Sequence, residues 1–258
     1  MANIKFYRMC IIKMVRIINK IKIFLIELLW PIHCLNCGQE GAVLCSNCQE
    51  YIKKRQHLTC PHCGKLSIYG AVCLSCRHKI NIDGLIFYTD YQQVLNKKLI
   101  GFWKYKYVKA AGELIVDLLI KDLESFVKDN KFLPFVDQRE ILVIPVPIHK
   151  NKYLERGFNQ SEIIAQAIGK KFNWRAATSI IERAKNTDSQ TKLNKDGRKQ
   201  NIKDAFIVKD VSALKNKNIV LIDDVYTSGA TINELAETIK KYNNGKIWAI
   251  VFAKQNFS

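Results

Sequence analysis

Eight of the nine cysteines fall into four C-x-x-C pairs, Cys34/Cys37, Cys45/Cys48, Cys60/Cys63 and Cys73/Cys76, and no other feature constrains the fold so tightly. Each such turn sets two thiolates at adjacent corners of a tetrahedron, and two turns complete a four-thiolate zinc site. Gly38 and Gly64 directly follow two of the pairs, where a knuckle needs a backbone position with positive φ. The regular spacing and the reducing compartment expected for this chain argue against disulfides. Eight thiolates fill two Zn²⁺ ions with no open position, so both sites are expected to be structural. His33, His57, His62 and His78 then stand by as non-ligands, and Cys10 as an ordinary buried thiol. Sequential pairing of the four turns is the simplest arrangement, and the spacing also admits a cross-braced one. So small a module has little core, and zinc supplies most of its folding energy, on the order of 10–16 kcal/mol per structural site.

A hydrophobic content of 48% over 258 residues is enough to bury a full core and excludes general disorder. The net charge of +18 is concentrated. Residues 1–30 carry +5, residues 31–80 carry +4 and residues 148–203 carry +8, whereas residues 81–147 balance nine basic against nine acidic side chains. Basic surface confined in this way points to polyanionic partners. The stretch CIIKMVRIINKIKIFLIELLW (10–30) is broken by Lys13, Arg16, Lys20, Lys22 and Glu27, so it is not a membrane span, and it lacks a signal-peptide cleavage site. Residues 1–30 are expected to form an amphipathic basic helix packed on the body of the protein. Contact with an anionic membrane surface is the competing reading. The expected location is cytoplasmic.

From Asn81 the pattern changes to alternating strands and helices. Strands are expected at 83–91, 141–147, 178–183, 205–208, 218–224 and 246–253. Helices are expected at 94–105, at 110–129, after an Asn159 N-cap, and at 231–242. HKNKYLERGFNQ is read as a basic loop, and 184–203 as a long polar stretch. This alternation predicts an α/β fold with an open parallel sheet flanked by helices, and ligands bind such sheets at the carboxyl ends of the strands. The expected domains are the helix 1–30, a double zinc ribbon over 31–80 and the α/β domain over 81–258.

At one strand end stands IVLIDDVYTSGAT (219–231). Four apolar residues precede Asp223 and Asp224, and the small residues Thr227, Ser228, Gly229, Ala230 and Thr231 follow. A compact loop of exposed N–H groups before a helix cradles phosphate, and an acidic pair suits vicinal hydroxyls, so a sugar phosphate fits both. Thr231 and Glu234 are expected to form a capping box. No G-x-x-x-x-G-K-[ST] occurs anywhere, which argues against a P-loop NTPase.

IVLIDDVYTSGAT resembles the signature of type I phosphoribosyltransferases, which bind 5-phosphoribosyl-1-pyrophosphate (PRPP). With the cysteine pairs, PVPIHKNKYLERGFNQ and SQTKLNKDGRKQNIKDAF in the same order, the chain from about Trp30 is similar to the ComF family. The resemblance implies a type I phosphoribosyltransferase-like domain joined to a double zinc ribbon, acting in natural competence on incoming single-stranded DNA. It implies that Asp223 and Asp224 hold the ribose hydroxyls and that Thr227 to Thr231 wrap the 5′-phosphate. Mg²⁺ would accompany PRPP. It makes His149, Lys150, Lys152 and Arg156 candidates for gripping pyrophosphate, and Arg183, Lys185, Gln190 and Arg198 candidates at the loop that closes over PRPP. Single-stranded DNA and DNA-uptake proteins are the implied macromolecular partners, with Tyr51, Tyr69 and Trp103 as candidate base-stacking residues. Transfer of phosphoribosyl to an amine or base, and a DNA-binding scaffold with a vestigial site, are the alternatives, because the acceptor pocket has no signature.

Overall fold

The computed structural model describes residues 31–106, 109–128, 140–185 and 203–255. The helix expected over 1–30, with Cys10, and the loop candidates Gln190 and Arg198 lie outside them. The chain divides into two compact units, residues 1–51 and 52–258.

In the first unit, Cys34 and Cys37 sit on a turn in which Gly38 donates its N–H to the Cys34 carbonyl at 2.9 Å, with φ +78° at the glycine. An isolated antiparallel bridge, His33 with Glu40, closes the knuckle. Cys45 precedes the short helix α1, Ser46–Gln49, as its N-cap, and Cys48 lies within it. The second unit begins with the same construction. Gly64, φ +72°, donates to the Cys60 carbonyl at 3.0 Å, Thr59 bridges Leu66, and Cys73 and Cys76 lie on a 3-10 turn.

A five-stranded parallel sheet follows, in the order β1-β7-β6-β2-β3. Its strands are β1 (Gly84–Asp90), β2 (Ile141–Pro145), β3 (Arg175–Ala176), β6 (Asn218–Tyr226) and β7 (Ile247–Lys254). All eight positions of β7 are buried, and apolar side chains fill seven of them, the composition expected of a parallel strand covered on both faces. The helices are α2 (Val94–Lys106), α3 (Lys109–Lys128), α4 (Lys150–Arg156), α5 (Gln160–Phe172) and α6 (Ala230–Lys240). Ala111, Ile115, Leu119 and Leu123 recur at four-residue spacing along α3 and are almost fully buried. Among the described residues no helix is long and apolar enough to cross a membrane.

Four sequence expectations are corrected. HKNKYLERGFNQ is not a loop: Lys150–Arg156 is helical, capped by the His149 side chain and ended by Gly157 at φ +76°. β6 does not stop at Asp224 but runs to Tyr226. Helix α6 has Gly229, not Thr231, at its N-cap, and Glu234 accepts the Asp204 N–H at 2.7 Å, so there is no Thr231–Glu234 capping box. Trp103 is 1% exposed and packs against Gly112 and Phe158, which removes it from any base-stacking role.

Candidate functional site

The sheet is notched where β2 ends. Its pairing with β6 stops at Pro145 opposite Ile222, while β6 continues beside β7 as far as Tyr226 opposite Lys254. Residues 223–226 therefore overhang β2 at the carboxyl edge. The connections leaving β2 and β6 also diverge there, since β2 leads to β3 on one side and β6 leads to β7 on the other. This is the place where open α/β sheets bind ligands.

A cavity of about 350 Å³ fills the notch. Asp223, Asp224 and the whole of Thr227 to Thr231 line it, and Lys104, Lys152, Arg156 and Arg183 face them from α2, α4 and β4 (Ile181–Arg183). Helical geometry explains the pairing on α4: Lys152 and Arg156 are one turn apart and share a face. Arg183 ends β4, which pairs antiparallel with β5 (Phe206–Val208).

The acidic pair is tightly held. Ser161 Oγ donates to Asp223 Oδ1 at 2.9 Å, and the Asp224 N–H donates to the same oxygen at 3.0 Å. Asp224, 6% exposed, forms an ion pair with Lys104, Nζ to Oδ2 2.7 Å. Burial and the neighbouring Asp224 push the Asp223 carboxyl up to about 7, against the opposing pull of Lys104 and Ser161. Burial works against the Lys104 ammonium too, but Asp224 and then Asp223 outweigh it and hold its pKa above the ordinary lysine value. Lys152 is lowered by burial and by the cations Arg183, Arg156 and Lys104 around it. Four cations crowded opposite two carboxylates make a site short of negative charge. Arg156 Nε and Gln160 Nε2 are buried without a hydrogen-bond acceptor among the described residues. Donors left in that state favour an acceptor-rich ligand.

The loop after β6 depends on Gly229. Its φ of +74° is a conformation that side chains disfavour, and a Cβ there would lie 2.1 Å from the Tyr226 hydroxyl oxygen. Only a bare backbone turns so tightly against Tyr226 into α6.

Of the residues expected from sequence, His149, Lys150 and Lys185 do not line the cavity. His149 accepts the Asn151 N–H at 3.2 Å as the α4 cap, Lys150 is exposed at the start of that helix, and Lys185 Nζ donates to the Lys203 carbonyl at 2.7 Å. Conversely, Lys104, Gln160, Ser161 and Tyr226 belong to the site without being marked in the sequence. Nothing local distinguishes Lys104, one of several lysines on α2. Ser161 stands next to a recognisable N-cap, but that signal speaks only of helix initiation.

The two cysteine sets are separate and sequential, Cys34/Cys37/Cys45/Cys48 and Cys60/Cys63/Cys73/Cys76, with no histidine in either. Within each set the sulfurs lie within 4.8 Å of one another, and Cys37–Cys45 and Cys63–Cys73 approach to 3.7 Å. A tetrahedral site with Zn–S of about 2.3 Å has sulfur–sulfur edges of about 3.8 Å. Both sets therefore fit zinc.

Residues 25–77 match the double zinc ribbon domain family and residues 156–257 the phosphoribosyl transferase domain family. Fold, notch and cysteine sets thus define a phosphoribosyltransferase-type domain carried with a double zinc ribbon. The chain is 30% identical over 220 residues to competence protein F of Haemophilus influenzae, covering 81% of this chain and 90% of that one. It is 27% identical to competence protein ComFC of Streptococcus pneumoniae, covering 81% and 93%, and 29% identical to ComFC of Bacillus subtilis, covering 76% and 77%. The chain belongs to the competence protein F (ComF) family.

Proposed function

We propose that the notch binds PRPP and that the protein acts in natural competence, in the uptake or processing of single-stranded DNA in the cytoplasm. The observation that carries the sugar-phosphate reading is the convergence, in one cavity, of the Asp223–Asp224 pair, the Gly229 loop and the cations Lys152, Arg156 and Arg183. Asp223 and Asp224 accept hydrogen bonds from the ribose hydroxyls. The N–H groups of residues 227–231 and the N-terminus of α6 take the 5′-phosphate. Lys152, Arg156 and Arg183 take the pyrophosphate, with Arg156 Nε and Gln160 Nε2 supplying buried donors. The carboxylate oxygens and the pyrophosphate suit Mg²⁺, which neutralises charge on the leaving group when bound. Any transfer then rests on positioning and charge neutralisation by these residues.

The competence reading is supported by what the relatives are called and by the basic excess of residues 31–80 and 148–203, which suits a nucleic-acid backbone of any sequence. We retain 1–30, 31–80 and 81–258 as functional divisions, with residues 1–30 able to meet a membrane surface and DNA-uptake proteins as further partners.

Calorimetry with PRPP and Mg²⁺ tests the site. Wild-type protein should bind, and the Asp223→Ala/Asp224→Ala double variant should not. Binding then opens a screen of amine and base acceptors with and without single-stranded DNA. Folded, zinc-loaded wild type that does not bind PRPP refutes the proposal.

A further inference from the structure

The last residue of β7 breaks the rule of its strand. In IWAIVFAK, all eight positions are buried, and the eighth is a lysine only 1% exposed. A buried ammonium is several kcal/mol unfavourable unless a counter-charge lies beside it. The Lys254 Nζ donates to Thr59 Oγ1 at 3.0 Å and sits 5.3 Å from the centre of the Phe87 ring. A neutral hydroxyl and an aromatic face hold an ammonium in place but do not neutralise it. Thr59 immediately precedes Cys60, itself fully buried. The negative groups that bear on Lys254 are Cys60 first, then Asp90 and Cys63.

The second cysteine set explains the lysine, and the lysine in turn serves the set. Four thiolates around one divalent ion leave a net charge of about −2. Here two of the four, Cys60 and Cys76, are almost wholly buried. Among the described residues of its own unit, the first set has no such device. Residues 31–51 contain neither lysine nor arginine, and the side-chain donor to its sulfurs is the neutral Asn36 amide, Nδ2 to Cys48 Sγ 3.3 Å. Two sites of the same ligand set thus differ in their surroundings, which provides an internal control.

We propose that Lys254 is the built-in counter-charge of the second zinc site, delivered by the end of the central sheet, and that it decides how firmly that ion is kept. The inference concerns the metal site alone and does not depend on what the notch binds. Removing groups around a metal's ligands typically costs 10–100-fold in affinity. Lys254→Met should therefore release zinc from the second site at least about tenfold faster and leave the first site unchanged.

The experiment uses the full zinc-loaded chain and follows release to pyridylazoresorcinol, with Cys48→Ser and Cys76→Ser assigning the two phases. Thermal melts of the same proteins with and without chelator give a second readout. Zinc-loaded Lys254→Met should melt below wild type, and after chelation the difference should disappear, because without the ion there is no charged cluster for the ammonium to balance. Lys254→Arg keeps the charge and should retain both ions, and it serves as the test if Lys254→Met does not fold. Unchanged release in Lys254→Met, equal destabilisation with and without zinc, or loss of the second ion in Lys254→Arg would each overturn the counter-charge. A wild-type chain that holds no zinc would instead overturn the metal reading itself.

Discussion

Asp223→Asn should stabilise this protein at mildly alkaline pH while destroying the candidate site. The Asp223 carboxyl is raised from the ordinary 3.8 to about 7 by burial and by Asp224. A tenfold change in an ionisation equilibrium is worth about 1.4 kcal/mol, so ionising this group in the folded state costs up to about 4 kcal/mol. The pair shares protons with its surroundings, and the gain on neutralising one member is smaller, about 2 kcal/mol. Asparagine keeps the oxygen that accepts from Ser161 Oγ and from the Asp224 N–H, so no bond need be lost. Because the folded pKa lies above the unfolded one, the folded protein takes up its proton first as pH falls. The penalty in wild type is thus complete above about pH 7 and fades towards about pH 4, and the advantage of the variant fades with it. For a chain of this size 1 kcal/mol is worth about 2–4 °C, so the variant should melt about 4–8 °C above wild type at about pH 8 and within about 2 °C of it at about pH 4. Melts of zinc-loaded protein across this range, paired with calorimetry against ribose 5-phosphate, measure both effects. A variant less stable than wild type at about pH 8, or a difference independent of pH, refutes the argument.

Lys104→Met removes a cation that lowers the Asp223 pKa and pairs with Asp224 at 2.7 Å. Hydroxyl donors need ionised carboxylates, so the pH midpoint for ribose 5-phosphate binding should move upward from about 7, as read by calorimetry at a series of pH values. Gly229→Ala forces a side chain into φ +74° and against the Tyr226 hydroxyl. It should cost about 1–3 kcal/mol in melts and weaken phosphate binding about tenfold or more. Trp103→Ala should lose about 3–5 kcal/mol of stability, the cost of an emptied core position. Reduced DNA binding with an unchanged melt would contradict that placement.

Features that depend on neighbours in sequence were legible from the residues. Thiolate pairs are placed by their own turns, but their grouping into two sequential sets of four, left open by the spacing, was decided by the fold. The buried strand NIVLI announces itself by composition, and the small residues 227–231 announce a tight turn before a helix. Asn159 is recognisable as a cap and does accept the Ser161 N–H. What escaped depends on register. How far β6 overhangs β2 is set by strand pairing across long separations, and that overhang creates the notch, carries the strand past Asp224 to Tyr226 and brings Ser161 to Asp223. HKNKYLER carries no apolar stripe, so its helix, which selects Lys152 and Arg156 over His149 and Lys150, shows only in the fold. Lys104 and Lys254 look like any other lysines in a basic chain. Only packing takes them from water and sets one against Asp224 and the other against Thr59, the neighbour of Cys60, where burial makes a single charge decisive.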